Sequence, residues 1–162
     1  MIFLRIFINS LKLPAKQTIF QLNRIGMDYA VLYLFILMLI TSMPSLISRM
    51  QTAGEPGATM NPLIIIIYFF IFYYLPLTVM VVLLISLMAY IGTKTAKLLQ
   101  RKITFPILWK ITVYTTSLPF ILFSVLALFF PLDDSWLALF VPYSLIFLLK
   151  IITVYPKRKK RP

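Results

Sequence analysis

The residues that most often carry out chemistry in proteins are scarce in this chain. It contains no cysteine and no histidine, and its four acidic residues, Asp28, Glu55, Asp133 and Asp134, are scattered. Thiol nucleophiles, cysteine-bearing zinc sites and histidine proton relays are therefore excluded. The four glycines form no phosphate-binding loop such as G-x-G-x-x-G. We predict a protein that is not an enzyme and that holds no metal and no cofactor.

Basic residues are the main chemical feature that remains. The chain has 16 lysines and arginines against 4 acids, which gives a formal net charge of +12. The densest cluster is in the tail, with further basic residues between the second and third apolar segments, and the predicted lipid-contact set is Lys157, Arg158, Lys159, Lys160, Arg161, Arg101 and Lys102. Near a membrane, each basic residue is attracted to anionic headgroups by about 1 kcal/mol. The alternative is that the tail serves only to fix orientation. No nucleic-acid-binding motif is present, so the predicted partner is a bilayer with anionic lipids and not nucleic acid.

A second feature is a row of polar residues within an apolar segment. Thr112, Thr115, Thr116 and Pro119 follow the spacing i, i+3, i+4 and i+7, which places them on one face of a helix, and Lys110, Tyr114 and Ser117 lie beside them. Hydroxyl-bearing faces of this kind pack membrane helices together, or they line a path for a substrate. Packing is the more common use, and both remain open at this point.

Asp28 and Lys110 form a possible third feature. Asp28 stands at the start of the first apolar segment, where an acid caps a helix and is stabilised by its dipole. Lys110 lies near the start of the third apolar segment. An ion pair between the two residues would clamp the first span to the third.

Composition shows what kind of element positions these residues. Apolar residues make up 61% of the chain and charged residues only 12%, whereas soluble domains are about 25% charged. A soluble domain of this length could not bury so much apolar surface. Four segments are long enough to cross a hydrocarbon core of about 30 Å, and they cover about 28–48, 62–93, 107–130 and 134–155.

The second of these segments is unusually long. Residues 62–93 would form about 48 Å of helix, and Pro76 lies near the middle. One bent helix is the preferred interpretation, because proline commonly kinks membrane helices. Two half-length pieces forming a re-entrant hairpin are the alternative.

The first 13 residues predict a separate helix. Arg5, Asn9 and Lys12 fall on one helical face of an otherwise apolar stretch, which is typical of an amphipathic helix lying in the membrane interface. Pro14 ends this helix, and residues 15–26 are interpreted as a connector.

Charge distribution predicts the orientation. Fifteen of the sixteen basic residues fall before the first span, between the second and third spans, or at the end of the fourth span and in the tail 156–162. Only Arg49 lies on the opposite side. By the positive-inside rule, both termini are cytoplasmic. The predicted fold is thus one all-α membrane domain over 1–162, a four-transmembrane-helix bundle with an N-terminal amphipathic interfacial helix.

Three stretches of the chain resemble a known family. They are SLKLPAKQTIFQLNRIGMDYAVLYLFILMLITSMP, AYIGTKTAKLLQRKITFPILWKITVYTTSLPFIL and the closing YPKRKK. They are similar to a domain-of-unknown-function family of Gram-positive bacterial multipass membrane proteins, some labelled maltodextrin-utilisation proteins. The resemblance implies a bacterial plasma membrane and no established activity. Family members usually carry a sizeable extracytoplasmic segment after the first span, and this chain has only residues 49–61 there.

Two functions follow as expectations. The first is a non-enzymatic scaffold or accessory subunit, which would bind other membrane proteins, a second copy of itself or anionic lipid. The second is a small transporter or lipid-translocating protein that uses the polar face of the third span. The absence of ionisable residues from the middle of every span disfavours ion-coupled pumping.

Overall fold

A computed structural model of the chain describes residues 2–53, 61–130, 132 and 134–156, and this part is helical with no β-strand. Helices α1 (Ile2–Leu11) and α2 (Lys16–Asn23) precede α3 (Met27–Ala53), and α4 (Pro62–Phe69) continues through the π-helical turn Phe70–Tyr74 into α5 (Leu75–Leu98). Then α6 (Phe105–Thr115) is followed by α7 (Ser117–Phe129), a 3₁₀ helix (Asp134–Leu139) and α8 (Phe140–Val154).

The prediction of four membrane spans is confirmed. Four stretches are long and apolar enough to cross a membrane: Met27–Gln51, Pro62–Leu98, Phe105–Phe129 and Ser135–Val154. These stretches begin and end within three residues of the predicted bounds, except that the second extends five residues further. The fold is therefore an all-α bundle of four membrane-spanning helices, preceded by two short N-terminal helices.

The long second span is one continuous helix. It comprises α4, the π turn and α5, which together measure about 55 Å at 1.5 Å per residue. The π turn ends at Tyr74, two residues before Pro76. Proline has no N–H to donate to the carbonyl four residues earlier, and a π-helical turn is a common way for a helix to adjust at such a place. The re-entrant hairpin is not formed.

Proline also interrupts the third span. Helix α6 ends at Thr115 and α7 begins at Ser117, with Thr116 between them. Pro119 cannot donate to the Thr115 carbonyl, which weakens the helix at this point. The hydroxyl of Thr116 donates to the Val113 carbonyl at 2.7 Å, and the chain continues in nearly the same helical path because Phe120 N donates to Thr116 O at 3.0 Å.

The N-terminal region is a two-helix hairpin. The predicted helix over 1–13 is present as α1, and Arg5 and Lys12 are exposed as its polar face requires. Interpreting residues 15–26 as a connector was wrong, because α2 forms there and buries Thr18, Ile19 and Leu22. Leu22 is three residues from Ile19 and four from Thr18, so the three side chains lie on one side of α2 and pack it against α6.

Helix α6 is the centre of the bundle. It contacts α1, α2, α3, α5 and α8, and every residue from Leu108 to Ser117 is buried. Close approach of α5 and α8 occurs at Gly92, where a side chain would overlap the methyl group Cδ2 of Leu148. Small residues permit such close helix packing in membranes, where the hydrophobic effect does not itself hold helices together.

Candidate functional site

Lys110 is a buried lysine that joins α6 to the N-terminal hairpin. Its Nζ donates hydrogen bonds to the main-chain carbonyls of Asn23 and Ile25, both at 2.8 Å. These carbonyls lie at the C-terminal end of α2, where the last carbonyls have no helical donor and the dipole favours a positive charge. Lys110 therefore holds the C-terminus of α2 against the central helix.

The predicted Asp28–Lys110 pair is not formed. No ion pair joins these two residues in the described part of the chain, and Asp28 is exposed in the first turn of α3. The prediction was wrong because it did not include α2, whose C-terminal carbonyls supply the partners that Lys110 needs. A clamp exists, but it joins the third span to α2 and not to the first span.

The polar face of the third span is buried inside the bundle. Thr112, Thr115 and Thr116 are each at most 3% exposed, whereas Pro119 is half-buried. The three hydroxyls donate to carbonyls of their own helix, those of Leu108, Thr112 and Val113, at 2.7–2.8 Å. Their hydrogen-bonding capacity is therefore used within α6.

A small polar cluster lies where α1, α3 and α7 meet. The hydroxyl of Tyr33 is 2.7 Å from Ser117 Oγ and 3.3 Å from Ser10 Oγ. The ring of Tyr114 lies 5.8 Å from that of Tyr33, and its buried hydroxyl has no hydrogen-bond partner among the described residues. Sequence reasoning placed Tyr114 and Ser117 near the polar face but missed Ser10 and Tyr33. In the sequence, Ser10 and Tyr33 are marked only by a hydroxyl group on the otherwise apolar sides of α1 and α3.

The two loop residues of the predicted lipid-contact set differ in their surroundings. Arg101 is half-buried, and its guanidinium donates to the carbonyl of Tyr155 at the end of α8. Burial raises the pKa of Tyr155 to about 12. Lys102 is exposed, and its backbone N–H donates to Pro156 O at 3.2 Å. Thus Arg101 fixes the α5–α6 loop to the end of α8, while the Lys102 side chain faces outward; Lys157–Arg161 lie outside the described residues.

The described part of the chain includes two apolar grooves on the surface of the bundle. The larger, of about 690 Å³, runs between α3 and the α4–α5 helix, and it is called the α3–α5 groove here. It is lined by Phe35, Phe70, Ile71, Tyr74, Leu75, Thr78, Val79, Val82 and Leu83. The smaller, of about 320 Å³, lies between α7 and the segment from Leu132 to Tyr143. Within the described residues, no cluster of acidic side chains could hold a metal ion.

The long second span is the least buried of the four spans. Only 17% of its most apolar window is buried, compared with 33–56% for the other three spans. Met80, Leu87, Ile91 and Leu98 lie on one side of α5 at 100° per residue, and they are 45–83% exposed. This set is called the outward face of α5. It points away from the buried side, which includes Ile85, Ala89 and Gly92.

Comparison with protein-family models, with curated proteins and with solved structures gave no match for this chain.

Proposed function

We propose that the protein is a non-enzymatic membrane scaffold or accessory subunit, which binds other membrane proteins through the outward face of α5. The observation that carries the proposal is the contrast between the interior and this face. The central helix is enclosed and its threonine hydroxyls are hydrogen-bonded, whereas the second span leaves Met80, Leu87 and Ile91 exposed on one apolar side. Membrane helices associate through packing of such sides.

The basic residues support a second part of the same proposal, which is contact with anionic lipid. Lys102 and other exposed basic residues such as Lys94 and Lys97 cluster at the end of α5 and in the following loop. Together with the tail, they would lie against headgroups of one leaflet. The positive-inside rule and the family resemblance both favour the cytoplasmic leaflet of a bacterial plasma membrane, with both termini cytoplasmic.

Substitution of Leu87 by tryptophan tests the proposal. The bulky ring would disrupt close packing on the outward face, so we expect a defined complex recovered from native membranes after mild crosslinking to decrease about tenfold. The control is Leu128→Trp, because Leu128 is similarly exposed on α7 (58% against 55%). Recovery of the unaltered protein only as a monomer, or equal loss in both variants, would contradict the proposal.

Transport is the second candidate, and one observation favours it. The third span is interrupted at Thr116, next to the cluster formed by Tyr33, Tyr114 and Ser117. A break of this kind is tolerated in membranes where protein or water covers it. Flux of sugars, ions or labelled lipids into reconstituted vesicles, abolished by Thr116→Val, would support transport. The scaffold is preferred because the threonine hydroxyls are already bonded within their helix.

A further inference from the structure

We propose that the α3–α5 groove binds one acyl chain of a phospholipid, with the phosphate of the same lipid at Arg49. This site is separate from the outward face of α5 and does not depend on the proposed function. The lipid lies in the leaflet nearest the α3–α4 loop, which is opposite to the basic end of the bundle.

The lining of the groove determines the chemistry of its occupant. Seven of its nine lining residues are aliphatic or phenylalanine. The two hydroxyls are already used, since Tyr74 donates to the Phe35 carbonyl at 3.1 Å and Thr78 donates to the Tyr74 carbonyl at 2.7 Å. A sugar, an ion or a nucleotide would find no charged partner and would lose its hydration there. A hydrocarbon chain has no polar group to desolvate, so it enters the groove without this cost.

The dimensions of the groove fit one lipid chain in one leaflet. Its lining extends along the second span from Phe70 to Leu83, which corresponds to about 20 Å of helix. One leaflet contributes about 15 Å of hydrocarbon depth. The lining residues Ile71, Val79 and Leu83 are 50–64% exposed, so the groove opens sideways to the lipid.

Arg49 lies at about the depth of the loop end of the groove, because its guanidinium approaches Tyr73, which falls between the lining residues Ile71 and Tyr74 in the sequence. Its guanidinium carbon lies 5.0 Å from the centre of the Tyr73 ring. Tyr73 stacks on Phe69, and Phe69 contacts Phe70, which lines the groove. Among the described residues, Arg49 has no carboxylate partner, and it is the basic residue nearest this end of the bundle. Arginine pairs well with phosphate, because its planar guanidinium can donate two parallel hydrogen bonds.

The test measures phospholipid retained by the purified chain in a mild detergent, by native mass spectrometry. The unaltered protein is expected to retain one phospholipid molecule. Val79→Trp fills the groove and should lower retention about tenfold. Arg49→Gln should lower the retention of phospholipid and leave the retention of a free fatty acid unchanged. Arg49→Lys keeps the positive charge and should retain more phospholipid than Arg49→Gln.

Leu87→Trp is the matched control, because it adds the same ring to the same helix outside the groove. It is expected to retain the lipid, and circular dichroism with gel filtration checks that both tryptophan variants are folded. Equal retention by Val79→Trp and Leu87→Trp would overturn the site. A dimer that Val79→Trp dissociates without changing lipid content would also overturn it, since a second copy would then occupy the groove. Leu87→Trp also distinguishes the two proposals, because it is expected to lose the protein complex while its lipid retention stays normal. Failure of the lipid site can therefore be told apart from failure of the proposed function.

Discussion

Replacing Lys110 by methionine is expected to lower the free energy of unfolding by about 2–3 kcal/mol, because two partly buried carbonyls would lose their charged donor. Methionine keeps an unbranched apolar stem, so packing changes little. The bonds from Lys110 Nζ to Asn23 and Ile25 hold α2 against the centre of the bundle. Reversible denaturation in detergent micelles measures the change, and faster proteolysis within residues 12–26 reports detachment of the hairpin.

Asp28 provides the control for this prediction. Asp28→Ala should lower stability by no more than about 1 kcal/mol, because Asp28 is exposed and only the dipole of α3 stabilises its charge. The double variant should show additive effects, because the two residues share no contact. A coupling energy above about 1 kcal/mol between Asp28 and Lys110 would contradict the assigned partners and would favour the ion pair instead.

Enlarging Gly92 is the second substitution with a large expected effect. The added Cβ of alanine would overlap Leu148 Cδ2 and would lie 3.5 Å from Leu108 Cδ1. Leu148 is buried, so its side chain would have to move against its neighbours, whereas the contact with Leu108 would be an ordinary one. We therefore expect a loss of about 1–3 kcal/mol for Gly92→Ala and a larger loss for Gly92→Val. Thermal unfolding in detergent measures the series.

Gly26 is the matched control, because its added Cβ would meet only Tyr29 Cδ2 at 3.6 Å. Gly26→Ala should be close to neutral. Leu148→Ala should reduce the cost of Gly92→Ala, so that the double variant is more stable than the sum of the two single changes. Independent, additive losses would show that Gly92 and Leu148 are not in close contact.

The membrane spans were predictable because each depends on one local property, a run of apolar residues long enough for the hydrocarbon core. The break near Thr116 and the π turn before Pro76 follow from the missing N–H of proline, although the sequence does not specify which local geometry results. Both effects act within a few residues along the chain.

The contacts between distant segments could not be predicted in the same way. Lys110 lies more than 80 residues from Asn23 and Ile25, and nothing in the sequence marks a main-chain carbonyl as a partner. Helix α2 is short and carries only three buried side chains, so its apolar pattern is weak. The predicted Asp28–Lys110 pair assumed that a lysine pairs with an acid, whereas helix C-termini supply an alternative partner.

The most direct test of the scaffold proposal is a scan of α5 with a photoreactive amino acid, one position at a time, in native membranes. The proposal predicts that protein crosslinks recur at Met80, Leu87, Ile91 and Leu98, with the 3.6-residue period of the outward face. The buried positions Ile85, Ala89 and Ala96 should give only bonds within the chain. Reaction with lipid alone at all four outward positions would contradict the proposal.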